Sequence, residues 1–306
     1  MICAIIDVGS NTIRLSIYQC EHHTFRLLLH KKEMAGLAGY IKKGTLSQKG
    51  MERACAALSG FRDILDNFGI DHVHVFSTAP LRNIRNTEQA VGFISGKTGF
   101  PIDVLSGKEE AELDFVGATH ALENQRGLLV DIGGGSTELV LFEDRTIQFS
   151  ASLPFGSLVF FDTYVRTLFP TQAEQRHMKS VVLEALRPYA RWPKLADAHI
   201  CGVGGTIRAA HALAKDLFDL PKDRAQLDIA HVRKVLARAK RAEQRELVRA
   251  LVPVVPDRIH TILPGMIILS TIAKFFQCQI VDVSRYGVRE GYLLHHVLKE
   301  GVLHDQ

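Results

Sequence analysis

Apolar and polar positions divide the chain twice in the same way. Residues 2–8, 13–20 and 24–33 read as three consecutive strands bounded by turn residues. Between 48 and 68, apolar residues recur at Met51, Ala54, Cys55, Leu58, Phe61, Ile64, Leu65 and Phe68, the spacing of one helical face. A strand at 72–77, a helix near 87–98, a strand at 102–106 and a helix from 107 to about 122 follow. The second half opens again on three strands, near 127–132, 137–143 and 145–150. It then alternates helices with strands near 198–201 and 280–283, and ends on a helix at about 287–300. Three strands followed by helix–strand alternation predict an α/β fold, with mixed sheets covered by helices.

The repetition extends to chemistry. Asp7-Val8-Gly9-Ser10-Asn11-Thr12 is echoed by Asp131-Ile132-Gly133-Gly134-Gly135-Ser136-Thr137. Each is an apolar strand, an aspartate, a glycine-containing turn with hydroxyl residues, and a second apolar strand. Two related domains are therefore expected, 1–124 and 125–286, divided in the polar stretch at 122–126. The C-terminal segment 287–306 is expected to complete the first domain.

Composition narrows the class. Of 306 residues, 46% are hydrophobic and 23% charged, which is ordinary for a globular chain. No unbroken apolar run reaches the roughly 18 residues of a membrane helix, and the start MICAIIDVG reads as a strand, not an export signal. The five cysteines are scattered and without CxxC spacing, which argues against structural zinc and for reduced thiols in the cytoplasm. His72 and His74 share a strand face without further ligands, so they read as packed or surface residues. The net charge of +4 is mild, but residues 231–249 gather Arg233, Lys234, Arg238, Lys240, Arg241, Arg245 and Arg249. That run suits a solvated helix face or, alternatively, a track for a polyanion.

The matched turns are the strongest functional signal. Gly9 and Gly133-Gly134-Gly135 let backbone N–H groups approach an anion closely, and Ser10, Asn11, Thr12, Ser136 and Thr137 add polar contacts. A carboxylate beside a phosphate cradle repels the ligand unless a cation intervenes, so Asp7 and Asp131, with Glu138 across the second hairpin, suggest Mg²⁺. Ser106 and Glu109 form a capping box at the start of the helix from 107. Glu110 has no such local duty. It suits either an interaction with the helix dipole or the orientation of a water. Arg82 and Arg14 can bind phosphate, Thr78 is a candidate helper, and Asn86 fits a helix cap as well as it fits a ligand. Gly204-Gly205-Thr206 opens a helix after a strand and forms a further phosphate-approach loop.

Together these segments resemble the exopolyphosphatase and guanosine pentaphosphate phosphatase family (Ppx/GppA, short two-domain form), within the sugar kinase, heat-shock ATPase and actin superfamily. The matching pieces are DVGSNTIRL (7–15), STAPLRNIRN (77–86), SGKEEAELDFVG (106–117), VDIGGGSTELV (130–140), SLPFGS (152–157), GVGGTIRA (202–209), ILPGMIIL (262–269) and SRYGVREGYL (284–293). The resemblance implies two actin-like, ribonuclease H-like domains with the active site in an interdomain cleft. It implies Glu110 as the residue that activates water, Asp131 and Glu138 as Mg²⁺-associated carboxylates, and Ser10, Asn11, Arg14, Arg82, Gly133, Gly134 and Ser136 as phosphate contacts. It also implies a possible homodimer. Glu112 stands where relatives usually have Arg, and Pro80 where they usually have a small residue. Longer relatives carry a further helical domain not found in these 306 residues, which weakens the expectation of processive binding to long polyphosphate. The expected activity is release of terminal phosphate from polyphosphate or guanosine pentaphosphate by in-line attack of water, placing the protein in the stringent response. No membrane or specific nucleic-acid partner is expected. The rival expectations are an ATP-dependent small-molecule kinase of the same superfamily and a non-catalytic alarmone or polyphosphate sensor.

Overall fold

The computed structural model describes all residues except 22–23, 122–125, 194, 196–198 and 299–306. The chain forms two compact units, Met1–Gly117 with the segment from Val288 onward, and Ala118–Gly287. The division falls in the last turn of a helix, ahead of the 122–126 stretch, most of which lies outside the described residues.

In the first unit, β1 (Ile2–Val8), β2 (Thr12–Glu21) and β3 (Thr24–Met34) form an antiparallel meander. The short β4 (Ile41–Lys42) and β5 (Thr45–Leu46) pair with each other and lead into α1 (Gln48–Asn67). Then come β6 (Val73–Ser77), α2 (Ala79–Arg82), α3 (Thr87–Thr98), β7 (Asp103–Val104) and α4 (Gly107–Ala121). The sheet order is β3-β2-β1-β6-β7, with β6 parallel to β1 and β7 parallel to β6.

Side chains of a strand alternate between faces, and β1 uses both. Ala4, Ile6 and Val8 join Met51, Ala54, Leu58, Phe61 and Leu65 of α1 in one core. Cys3 and Ile5 join Phe76, Leu113 of α4, Tyr292 and Leu293 in another. This double burial explains why β1 is nearly continuous in apolar residues. The edge strand β3 is mostly exposed and carries His30, Lys31, Lys32 and Glu33, charges that discourage pairing with another chain. Ser47 caps α1 by accepting from the Gly50 N–H.

The second unit repeats the plan. β8 (Arg126–Ile132), β9 (Thr137–Glu143) and β10 (Thr146–Leu153) form the meander. They are followed by α5 (Ser157–Tyr164), α6 (Gln172–Leu186), β11 (Ile200–Val203), α7 (Gly204–Leu217), β12 (Gln226–Asp228), α8 (Ile229–Ala239), α9 (Gln244–Leu251), α10 (Ile262–Phe276) and β13 (Ile280–Val283). The order is β10-β9-β8-β11-β13-β12, with β11 parallel to β8 and β13 parallel to β11. The sequence pattern did not reveal β12, a three-residue edge strand antiparallel to β13. In α10 every residue but Lys274 and Phe275 is buried, as expected of a helix that is apolar all round.

The basic run 231–249 is not one helix. Val232, Val235, Leu236 and Ala239 make one buried stripe on α8, while Leu247 and Leu251 are buried from α9. α8 ends at Ala239 and α9 begins at Gln244, so the run is divided between two helices that each bury an apolar stripe. The final helical segment is α11 (Val288–Tyr292), followed by a π-helical turn at Leu293–Val297. Among the described residues no helix is long and apolar enough to cross a membrane.

Within the first unit, α11 and α4 approach closely. A Cβ built on Gly291 would lie 1.8 Å from the Leu113 carbonyl oxygen. Gly291→Ala is expected to lower stability by roughly 1–3 kcal/mol, the range for overpacking against a fixed backbone. Gly96→Ala, on α3 where nothing lies within 4 Å, is expected to be neutral or mildly stabilising. Urea unfolding midpoints of the two variants, compared with wild type, check the opposite signs.

Candidate active site

The first unit presents the hairpin between β1 and β2. The Gly9 N–H donates to the Thr12 carbonyl at 3.1 Å, closing the turn. The Ser10 and Asn11 carbonyls accept from Ala38 and Gly36 at 3.1 and 2.9 Å, which fixes the turn from outside. Ser10, Asn11 and Thr12 are all buried. Asp7 and Arg14 are register partners across β1 and β2, and the Arg14 guanidinium lies 3.5 Å from the Asp7 carboxylate. Burial pushes the Asp7 carboxyl above its usual range, outweighing the pull of Arg14 and Arg289 in the other direction.

Thr78 precedes the short helix α2, which ends on Arg82. Arg82 Nη1 donates to Glu110 Oε2 at 2.6 Å and to the Leu105 carbonyl at 3.1 Å. Sequence reading placed Arg82 on phosphate and Glu110 on water. The structure joins them in an ion pair spanning 28 residues, which no local pattern signals. Glu110 lies in the first turn of α4 and is only 6% exposed. The turn is set by the expected capping box: Glu109 N–H to Ser106 Oγ at 3.1 Å, and Ser106 N–H to Glu109 Oε2 at 2.7 Å. Asp114, one turn beyond Glu110, is fully buried and was not singled out from the sequence. Nor were Arg289, which donates to Ser16 Oγ at 2.6 Å, and Glu290, which accepts from Tyr18 Oη at 2.5 Å.

The second unit presents the hairpin between β8 and β9. The Gly133 N–H donates to the Ser136 carbonyl at 3.0 Å, repeating the closure seen at Gly9. The carbonyls of Gly133 and Gly134 accept from the N–H groups of Ser157, Leu158 and Val159, the first turn of α5, at 2.9–3.0 Å. In a trans peptide the carbonyl and the following N–H point in opposite directions. The N–H groups of Gly134 and Gly135 therefore face away from α5, as an anion cradle requires. So close an approach needs glycine at 156: a Cβ there would lie 2.4 Å from the Gly133 oxygen.

Asp131 and Glu138 are register partners, as Asp7 and Arg14 are in the first unit. Glu138 is 1% exposed, and its Oε1 accepts from Ser152 Oγ at 2.9 Å. Gly204 has φ +83° and packs on Asp131, with a hypothetical Cβ 2.0 Å from Asp131 Oδ1. Arg258 lies over Gly205, where a Cβ would meet its Nη2 at 2.1 Å, and its Nη1 is 3.5 Å from Thr206 Oγ1. Arg258 is thus a cation beside the N-terminus of α7 that the sequence pattern did not reveal. Ser152 and Ser157 lay inside the SLPFGS segment, which held a signal but not their roles.

Among the described residues no three His, Cys, Asp or Glu side chains cluster as metal ligands. The Asp131–Glu138 pair fits Mg²⁺, which takes one or two carboxylates and fills its shell with water or phosphate oxygens. It does not fit structural zinc.

A model of the Ppx/GppA phosphatase family matches residues 16–300. The chain belongs to this family. As a Ppx/GppA phosphatase it is a hydrolase of phosphoanhydride bonds. It is similar to a Haemophilus influenzae protein named "Putative exopolyphosphatase", 27% identical over 294 residues, which cover 95% of this chain and 90% of that one. Its fold is that of a Cytophaga hutchinsonii exopolyphosphatase crystal structure, with a TM-score of 0.86 and 24% identity over 98% of both chains. An Aquifex aeolicus Ppx/GppA family member matches with a TM-score of 0.79 and 25% identity over 99% of both chains. The α/β fold expected from the pattern of strands and helices is the one shared with these exopolyphosphatase and Ppx/GppA structures.

The capping box of this phosphatase carries a pH signature. Hydrogen bonds from the Ser106 backbone and hydroxyl hold the Glu109 carboxyl below its usual value of 4.5. A depressed carboxylate contributes stability above its unfolded pKa and loses it as pH falls through the folded value. Ser106→Ala is expected to cost about 1 kcal/mol at neutral pH, and this cost is expected to shrink by about pH 3 as Glu109 protonates. Urea midpoints at the two pH values check it.

Proposed function

We propose that this phosphatase releases terminal phosphate from a linear phosphate chain, either inorganic polyphosphate or the 5′ end of guanosine pentaphosphate. The reading is carried by one difference between two hairpins of the same plan. The first sets Arg14 opposite Asp7, whereas the second sets Glu138 opposite Asp131. Two carboxylates in register beside a loop that faces anions through N–H groups call for a divalent cation. Mg²⁺ on Asp131 and Glu138, with Asp7 as a further candidate, would neutralise the nonbridging oxygens of the terminal phosphate.

The remaining chemistry belongs to the chain's own groups. Gly133, Gly134, Gly135 and Ser136, with Ser10, Asn11 and Thr12, hold phosphate oxygens through backbone and hydroxyl donors. Gly204, Gly205 and the start of α7 add a helix N-terminus, and Arg14 adds a guanidinium. Glu110, steadied by Arg82, takes a proton from the attacking water while the water oxygen bonds to phosphorus. The bridging P–O bond breaks, and the shortened chain leaves with the bonding electrons. Positioning and charge compensation supply most of the acceleration in this class of reaction. The exopolyphosphatase names of the similar proteins support inorganic polyphosphate as the first substrate to test.

The test measures phosphate release with Mg²⁺ from short and long polyphosphate, guanosine pentaphosphate and ATP. Release from a phosphate chain, abolished by EDTA, is expected. Glu110→Gln is expected to lower turnover by about 10²–10⁴-fold with unchanged folding, the usual contribution of a general base. Glu138→Gln is expected to raise the Mg²⁺ concentration needed for half-maximal rate. Binding of these compounds without phosphate release would favour a sensor, and release only with an added acceptor would favour a kinase.

A further inference from the structure

Three helices of the second unit enclose a cavity of about 690 Å³ that plays no part in the reaction proposed above. It falls within the range of small-molecule sites. Lys179 of α6, Arg233 of α8, Lys240 just past the end of α8, and Lys274 of α10 line it, and among the described residues no carboxylate does. The spacing within each helix is that of a single face: Lys179 with Leu183 on α6, and Arg233 with Leu236 and Ala237 on α8. Lys274 and Phe275, the two residues of α10 that are not buried, both face this cavity.

The cations converge. Burial, then the positive charges of Lys240, Lys274 and Arg233, lower the affinity of the Lys179 amine for its proton. A basic surface kept only for solubility intersperses acids among its cations. The adjoining face of α8 does so, pairing Arg238 with Glu246 at 3.3 Å. Toward the cavity, none of the four cations is in a salt bridge among the described residues. The Ser270 and Thr271 hydroxyls donate to the Ile267 carbonyl at 3.2 and 2.6 Å, which leaves recognition to the cations.

We propose that this cavity is a second oligophosphate site, which takes two or more linked phosphates, either bare or carried on a nucleoside. The cations come from three helices around one cavity, and an extended anion offers several oxygens to meet them at once. Leu183, Leu236 and Phe275 give an apolar floor that a nucleoside can use and a bare chain cannot. The site shares a helix with the phosphate loop. A Cβ on Gly265, in the first turn of α10, would touch Thr206, and Thr271 lies roughly 9 Å further along the helix at 1.5 Å per residue.

The test is lysine acetylation of the full chain, read by mass spectrometry, in EDTA to prevent turnover. Tripolyphosphate, guanosine triphosphate, orthophosphate and sulfate are compared at matched ionic strength. Tripolyphosphate is expected to slow acetylation of Lys179, Lys240 and Lys274 at least roughly fivefold, the effect of a ligand at about four times its Kd. Lys49 and Lys222, which do not line the cavity, are expected to be unaffected. Arg233→Glu combined with Lys274→Glu is expected to raise the tripolyphosphate concentration that half-protects Lys179 by roughly 100-fold, and the milder Lys240→Gln to raise it by less. Stronger protection by guanosine triphosphate than by tripolyphosphate assigns the site to nucleoside-borne chains, and the reverse to bare ones. Unchanged acetylation with both, equal protection by sulfate, or protection that survives the double charge reversal overturns the proposal.

Discussion

A turn can offer its N–H groups to an anion only if something else takes its carbonyls. Here the first turn of α5 does so, with three backbone donors on the oxygens of Gly133 and Gly134. The arrangement solves two problems together. The helix start would otherwise have unsatisfied donors, and the glycine turn would otherwise present a mixture of donors and acceptors. It also dictates sequence at a distance. Gly156 must lack a Cβ, Ser157 adds its hydroxyl to the Gly133 oxygen at 3.1 Å, and Thr137 reaches the Phe155 carbonyl at 2.8 Å. The SLPFGS segment is therefore part of the glycine turn's construction although the fifteen residues 137–151 separate them.

The repeated hairpins show how one plan can be given two electrostatic duties. Register places the residue seven positions after each aspartate directly across the strand pair. Arginine at that position sets a cation beside the aspartate of the first hairpin. Glutamate at the same position of the second sets two carboxylates in register, the pair on which the proposed Mg²⁺ would sit. The choice is made by one side chain, with the backbone plan unchanged.

How much of this the sequence discloses follows the range of the interactions. The strands of both meanders, α1 and the Ser106–Glu109 capping box are written in local periodicity and spacing, and each is found within a residue or two of its expected place except β10, which runs three residues further. The two hairpins were legible because the chain states them twice. Arg82 with Glu110, and Arg258 over Gly205, were not legible, since each joins segments that only tertiary packing brings together. The break between α8 and α9 was concealed by a continuous run of basic residues. The apolar residues on its two sides stay in helical phase, so periodicity gave no sign of it. β12 is three residues long, too short to establish a period.

The Arg82–Glu110 pair changes the demands on the proposed base. A buried carboxylate with no partner reverts toward its neutral form and can no longer accept a proton from water. An arginine at 2.6 Å holds one of its oxygens in place, and the Leu105 carbonyl orients that arginine in turn. In the proposed reaction, whose transition state carries little bond formation to the nucleophile, orienting the water matters more than basicity. There Arg82 would act on the water through Glu110. A lysine in its place would supply charge but not the planar fork that grips a carboxylate and a carbonyl together.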